Sequence, residues 1–153
     1  MQRPSDFVPR GSLKTVVGSA TVPVTGGLRY IIYAVNNQGT TDLSEFSKRW
    51  PNAASDYRQW YRNSFGKMKL GSIKTLQVQS DTALIAALVY DDDRLDLNAV
   101  SKAMDLIGQE VSYNSGNAHI KKFASGDEWK KVEETIVAQL SKRSVNVTVY
   151  GRD

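Results

Sequence analysis

This sequence predicts an α/β fold: a mixed sheet of about six strands with helices on both faces, a three-layer α/β/α arrangement. Three observations carry the prediction. The stretch Arg29–Gly39, RYIIYAVNNQG, is an apolar run that ends abruptly in amides and a glycine, the pattern of a buried strand leaving a sheet. A second junction of this kind, FASGDEWKKVEETI, follows a strand pattern over Ala118–Phe123. Strand and helix patterns alternate along the rest of the chain, which is how layered α/β domains are written.

The elements follow in order. Residues 1–12 hold two prolines and little periodicity and read as a flexible arm, leaving 13–153 as the domain. Within the arm, VPRGS at Val8–Ser12 matches the tail of a common protease-cleavage linker. Leu13–Val17 reads as a short strand, and the Gly26-Gly27 turn leads into the strong strand before Asn36. Leu43–Trp50 reads as a helix with Asp42 at its N-cap and Pro51 as its stop. In Asn52–Asn63, Tyr57, Trp60 and Tyr61 fall at i, i+3, i+4, an aromatic stripe that suits a core face. Gly71–Val78 and Ala83–Tyr90 read as strands joined near Ser80-Asp81. A helix over Leu95–Ile107 places Leu97, Val100, Met104 and Ile107 on one side. The last helix does the same with Trp129, Val132, Ile136 and Leu140, and Val145–Tyr150 closes the sheet.

Composition bounds the function. A 41% hydrophobic content supports a real core, and no apolar run is long enough for a membrane helix. The N-terminus lacks the apolar segment of a signal peptide. The absence of cysteine removes disulfides and thiolate metal sites and fits a cytoplasmic setting. With one histidine, a His-based metal centre is not expected either, and no cofactor is predicted. The net charge of +4 is concentrated between residues 45 and 74, where seven cations face two carboxylates. Such a field attracts phosphates or nucleic acid, and it also suits a solvated helix face.

Three passages together resemble a known family. They are AVNNQGT followed by LSEFSKRWP, KLGSIKTLQV followed by ALIAALVY, and the closing GDEWKKVEETIVAQLSKRSVNVTVY. They are similar to the macro domain, the ADP-ribose-binding fold, nearest to its single-domain branch of ADP-ribose-1''-phosphate phosphatases and their phage relatives. The resemblance implies a macro-domain-like domain over 13–153 and a ligand cleft built from three places. Gly18 and Ser19 stand where the family often has a Gly-Asp pair that reads adenine. Asn36, Asn37, Gln38 and Gly39 match the ligand-contacting Asn turn. Ser125, Gly126 and Asp127 match the second phosphate loop and the start of the last helix. By the same resemblance, Asn37 and Asp127 are the candidates for catalysis, and a phage origin would place the chain in host cytoplasm.

The chain also departs from the family pattern. Thr40-Thr41-Asp42 replaces the glycine-rich run after the Asn turn, and KKFASGD at Lys121–Asp127 keeps one glycine of the second loop. Glycines there let backbone amides converge on a diphosphate, and side chains with negative charge oppose it. Asp91–Asp93 adds three carboxylates that suit a loop before a helix and would repel a diphosphate if they face the cleft. The leading expectation is a macro-domain-like protein with a reduced cleft, in which binding of ADP-ribose or a related nucleotide is weak or lost and catalysis absent.

Other readings stay open. One is hydrolysis of ADP-ribosyl esters or ADP-ribose-1''-phosphate. Another is a nucleic-acid-binding or structural module using residues 45–74, with Trp50 or Trp60 exposed to stack bases. Asn36 and Asn37 could equally serve their own turn. Asp127 could equally be a first-turn acid of its helix. His119, alone on a strand between Ala118 and Ile120, reads as a packed, hydrogen-bonded residue.

Overall fold

In the computed structural model, residues 11–151 are described. The arm expected over 1–12 lies outside the described residues as far as residue 10. Gly11 and Ser12 are already stitched to the domain. The Gly11 N–H donates to the Ser141 carbonyl at 2.9 Å, and the Val147 N–H donates to the Ser12 carbonyl at 2.7 Å. Two residues assigned to the arm by the sequence pattern, Gly11 and Ser12, therefore belong to the domain.

Among the described residues, seven strands form one sheet: β1 (Leu13–Val17), β2 (Arg29–Asn36), β3 (Ile73–Gln79), β4 (Thr82–Asp91), β5 (Arg94–Leu95), β6 (Asn117–Lys121) and β7 (Val147–Gly151). The spatial order is β1-β7-β6-β2-β4-β3, with β5 paired to the end of β4. Strands β1, β7, β6, β2 and β4 run parallel, and β3 and β5 are antiparallel to β4. The strand absent from the sequence reading is β5, which is two residues long and exists only by pairing with Tyr90 and Asp91.

Alternation along β2 sorts its side chains between two cores. Tyr30 and Ile32 join Ile85, Val89, Ile120 and Val149 beneath helices α3 (Leu97–Tyr113) and α4 (Gly126–Gln139). Ile31, Tyr33 and Val35 join Leu84, Leu88 and Tyr150 beneath α1 (Ser44–Ser47) and α2 (Asn52–Asn63). The result is the expected three-layer α/β/α sandwich. Because the middle of β2 and β4 is covered on both faces, those strands are continuously apolar rather than alternating. Fully burying an aliphatic side chain such as Ile32 stabilises the fold by about 1.5–3 kcal/mol.

Two helices differ from their sequence outline. The segment expected as a helix over Leu43–Trp50 forms only the four-residue α1, and its N-cap is Leu43 rather than Asp42; Asp42 stands one residue earlier and accepts from the Ser44 N–H at 2.9 Å. Helix α3 runs to Tyr113 rather than stopping at Ile107, and it starts at Leu97 with the Asp96 carboxylate accepting from the Ala99 N–H at 3.0 Å. Gly108, which weakens a helix in isolation, sits where α3 touches the end of α4. A Cβ there would lie 2.2 Å from the Gln139 carbonyl oxygen, so the glycine is the contact itself. Among the described residues, no helix is long and apolar enough to cross a membrane.

Candidate functional site

Parallel strands deliver their C-terminal ends to one edge of the sheet, where open α/β folds place ligands. Five segments meet there: Gly18–Ala20 after β1, Asn37–Leu43 after β2, the β4–β5 turn, Lys122–Ser125 after β6, and the end of β7. They enclose two grooves that share Lys121 and Lys122.

The first groove, about 900 Å³, is lined by Val17, Gly18, Ser19, Ala20, Ala124, Ser125, Tyr150 and Gly151, with Glu45 at its wall. Small residues leave it open. Its floor is fixed by a network around His119, which is 1% exposed. The His119 Nε2 lies 2.5 Å from Asn117 Oδ1, and its Nδ1 lies 2.7 Å from the Tyr150 hydroxyl. That hydroxyl accepts from the Val24 N–H at 3.0 Å. A neutral ring with its proton on Nε2 satisfies every partner, since Nδ1 then accepts from Tyr150. Burial first, then the fields of Arg29 and Lys14, hold the His119 pKa down at about 4. The histidine is a structural pin for the β1–β2 connection, as its strand position implied.

The second groove, about 460 Å³, lies on the Asn-turn side and is lined by Tyr33, Asn36, Thr40, Thr41, Asp42, Phe46, Asp92, Asp93 and Phe123. Here the polar groups face inward to one another. Asn36 Oδ1 accepts from the N–H groups of Gln38 at 3.0 Å and Thr40 at 3.3 Å, while its Nδ2 donates to Thr40 Oγ1 at 2.8 Å. The Tyr57 hydroxyl lies 2.7 Å from both the Asn36 carbonyl and Asn36 Oδ1. Asn37 Nδ2 donates to Asp91 Oδ1 at 3.0 Å, and its Oδ1 accepts from the Asp92 N–H at 2.8 Å, which ties the Asn turn to the β4–β5 turn. Gly39 holds φ +72°, and a Cβ there would meet the Tyr61 ring at 2.7 Å. The bond from the Ser44 N–H, then the fields of Lys121 and Lys48, hold the Asp42 carboxyl below its ordinary range. Asp42, Asp92 and Asp93 put three carboxylates on this groove, with Lys121 and Lys122 in the same lining.

A bridge separates the two grooves. Glu45 on α1 accepts from the Ser19 hydroxyl at 2.6 Å through one oxygen and pairs with Lys121 Nζ at 2.8 Å through the other. Lys121 also lies 5.6 Å from the centre of the Phe46 ring. One carboxylate therefore joins the β1 loop, α1 and the end of β6 across the middle of the cleft.

Of the residues singled out in the sequence, Gly18, Ser19 and Ser125 line the first groove and Asn36 lines the second. Asn37, Gln38, Gly39, Gly126 and Asp127 border neither; Asp127 is exposed on the first turn of α4. The sequence pattern does not single out Glu45 or Tyr150, and it marks Lys121 and Lys122 only as the start of the second loop. Their one available signal was position: Lys121-Lys122 closes a strand, and Glu45 lies on the first helix after the Asn turn. Trp50, which the nucleic-acid reading could use only if exposed, is buried at 6% and its indole donates to Gln79 Oε1 at 3.4 Å, while Trp60 is half-buried against the same core. The aromatic stripe of α2 is thus packing, as read. Among the described residues, no cluster of His, Cys, Asp or Glu could hold a metal ion.

No protein-family model matches this sequence, and no curated protein sequence matches it. Solved structures do. A macrodomain protein from Streptomyces coelicolor superposes with a TM-score of 0.86 at 24% identity, over 93% of this chain and 100% of that one. A protein of unknown function from Bacteroides thetaiotaomicron gives 0.82 at 22% identity, over 92% and 98% of the two chains. The macrodomain of Mycobacterium tuberculosis DarG gives 0.76 at 15% identity, over 94% and 99%. Near-complete coverage in both directions, with the cleft formed at the same edge that the sheet topology dictates, identifies the architecture: this chain has the macrodomain fold.

Proposed function

We propose that this chain is a nucleotide-binding module of macrodomain type whose cleft is reduced, so that it takes ADP-ribose or a related nucleotide weakly and without hydrolysing it. The observation that carries this reading is the Glu45 bridge. A diphosphate entering the middle of the cleft meets a carboxylate already hydrogen-bonded to Ser19 and paired with Lys121. It would have to displace that carboxylate from the cation it needs. The carboxylates of Asp42, Asp92 and Asp93 oppose a second phosphate on the Asn-turn side.

Binding is favoured over hydrolysis by the disposition of the two catalytic candidates. Asp127 lines neither groove, and both polar atoms of the Asn37 side chain are bonded to Asp91 and Asp92. A general base must come within hydrogen-bond reach of the proton that it takes. The nucleic-acid reading loses Trp50 as a stacking surface because that ring is buried. Titration calorimetry with ADP-ribose tests the proposal: weak saturable heat is expected, and micromolar affinity would show that the cleft is not reduced. Release of product from ADP-ribose-1''-phosphate by the wild-type chain, lost in Asp127→Ala, would establish the hydrolase instead.

A further inference from the structure

Helix α2 ends in a turn that its own residues do not favour. The Lys67 N–H donates to the Ser64 carbonyl at 2.9 Å, with Phe65 at φ +49° and Gly66 at φ +73° between them. Positive φ at both central positions is the signature of a type I′ turn, whose first central position suits Asn, Asp or Gly. A bulky side chain is strained there. The other non-glycine residues at positive φ among the described residues, Asp92, Ser115 and Ser144, all carry short polar side chains. Phe65 carries an aromatic ring and is 88% exposed, so burial does not offset the strain.

We propose that Phe65 and the cations around it, Arg58, Arg62 and Lys67, form a docking surface for single-stranded nucleic acid. The ring stacks on an unpaired base, and the cations hold the flanking phosphates. None of the four residues lines either groove, so the surface stands apart from the cleft and does not depend on the nucleotide reading.

Charge and shape together choose this occupant. From Tyr57 to Ser80 the chain carries five cations and no carboxylate. Lys74 is paired with Asp56 at 3.7 Å. Arg58, Arg62, Lys67 and Lys69 are exposed, with no carboxylate within ion-pair distance among the described residues. Arg58 and Arg62 lie one turn apart on the same side of α2. The Phe65 N–H donates to the Arg62 carbonyl at 3.2 Å, which sets the turn directly against the end of that helix. Both flanks of the turn are anchored: Tyr57 and Met68 are buried, and the Ser64 hydroxyl donates to the Trp60 carbonyl at 2.8 Å. A ring held out on a short, anchored turn loses little freedom when it stacks. Phe65 thus supplies the aromatic face that buried Trp50 does not. A duplex keeps its base faces inside the stack, whereas every base of a single strand offers one. An acidic peptide would satisfy the cations and leave the ring without a flat partner.

Fluorescence anisotropy with a labelled single-stranded oligonucleotide of about ten bases, as RNA and as DNA, tests the surface. At low salt the wild-type chain should bind the single strand several-fold more tightly than a duplex of the same sequence. Binding of either form upholds the proposal, and the tighter form names the sugar. Phe65→Asn, which suits the turn, should raise the denaturant midpoint of unfolding while weakening the single strand about tenfold, the scale of one lost stack. Arg58→Gln/Arg62→Gln should reduce the slope of log Kd against log salt by about 1.4, the release expected from two phosphates of a single strand. Both variants should respond to ADP-ribose as the wild-type chain does. No binding at low salt, equal binding of the duplex, or unchanged binding by Phe65→Asn would each overturn the proposal. A poly-glutamate peptide that binds as tightly as the oligonucleotide would assign the surface to an acidic protein and overturn the nucleic-acid assignment. Displacement of the oligonucleotide by ADP-ribose would put the strand in the cleft and overturn the separate surface.

Discussion

The two ends of the cleft are built on opposite principles. At the β1–β7 end, small side chains leave space, and the polar groups that secure the wall lie beneath it, in the His119–Tyr150–Val24 network. At the Asn-turn end, the polar groups stand at the surface but bond to each other, and their carboxylates face out. The difference teaches that polar residues at the end of a strand are ambiguous. An amide there can await a ligand or can already hold the turn that displays it, and only its partners tell which.

The largest expected effect separates these roles at Asn36. Replacing it with alanine removes the acceptor shared by Gln38, Thr40 and Tyr57, so Asn36→Ala should lower stability by about 2–3 kcal/mol in denaturant unfolding. Ser125→Ala, at the open end, should change it by less than about 0.5 kcal/mol. Equal effects would erase the contrast between the two ends.

A smaller effect probes Gly39. Gly39→Ala forces a side chain onto a positive φ and against the Tyr61 ring, with an expected loss of about 1–3 kcal/mol. A loss of nothing would mean that the turn can relax.

The next comparison uses pH. The folded-state pKa of His119 is depressed from 6.5 to about 4, so between those values the unfolded chain binds a proton that the folded chain refuses. Stability contributed by the neutral ring is full above about pH 6.5 and is lost progressively as pH falls towards 4. The melting temperature of wild type should therefore fall more steeply over that window than that of His119→Gln. Parallel curves would mean that the ring is not held neutral.

Much of this architecture was legible in the sequence because it rests on local pattern. The apolar runs of β2 and β4 and the stripe Val132, Ile136 along α4 each declare an element within a dozen residues. What was not legible depends on distant partners. Strand β5 exists only against the end of β4, and Gly108 of α3 lies where the end of α4 leaves no room for a Cβ. The roles of Asn36 and Asn37 were evenly balanced until Tyr57 and Asp91 were placed beside them. Glu45 looked like one acid on a short helix, and nothing local couples it to Lys121 on a strand far along the chain. Asp127 looked prominent by resemblance, yet lines neither groove.

The smallest structural change is also the sharpest functional one. The Glu45–Lys121 pair is half exposed, so Glu45→Gln should alter folding stability by less than about 1 kcal/mol. Its effect belongs to the cleft, where it removes the charge that competes for Lys121. Calorimetry of ADP-ribose against wild type and Glu45→Gln is accordingly the most direct test of the central claim. Weak binding by the wild-type chain and affinity about tenfold higher in the variant are predicted. Micromolar binding by wild type, or no gain on removing the carboxylate, would contradict it.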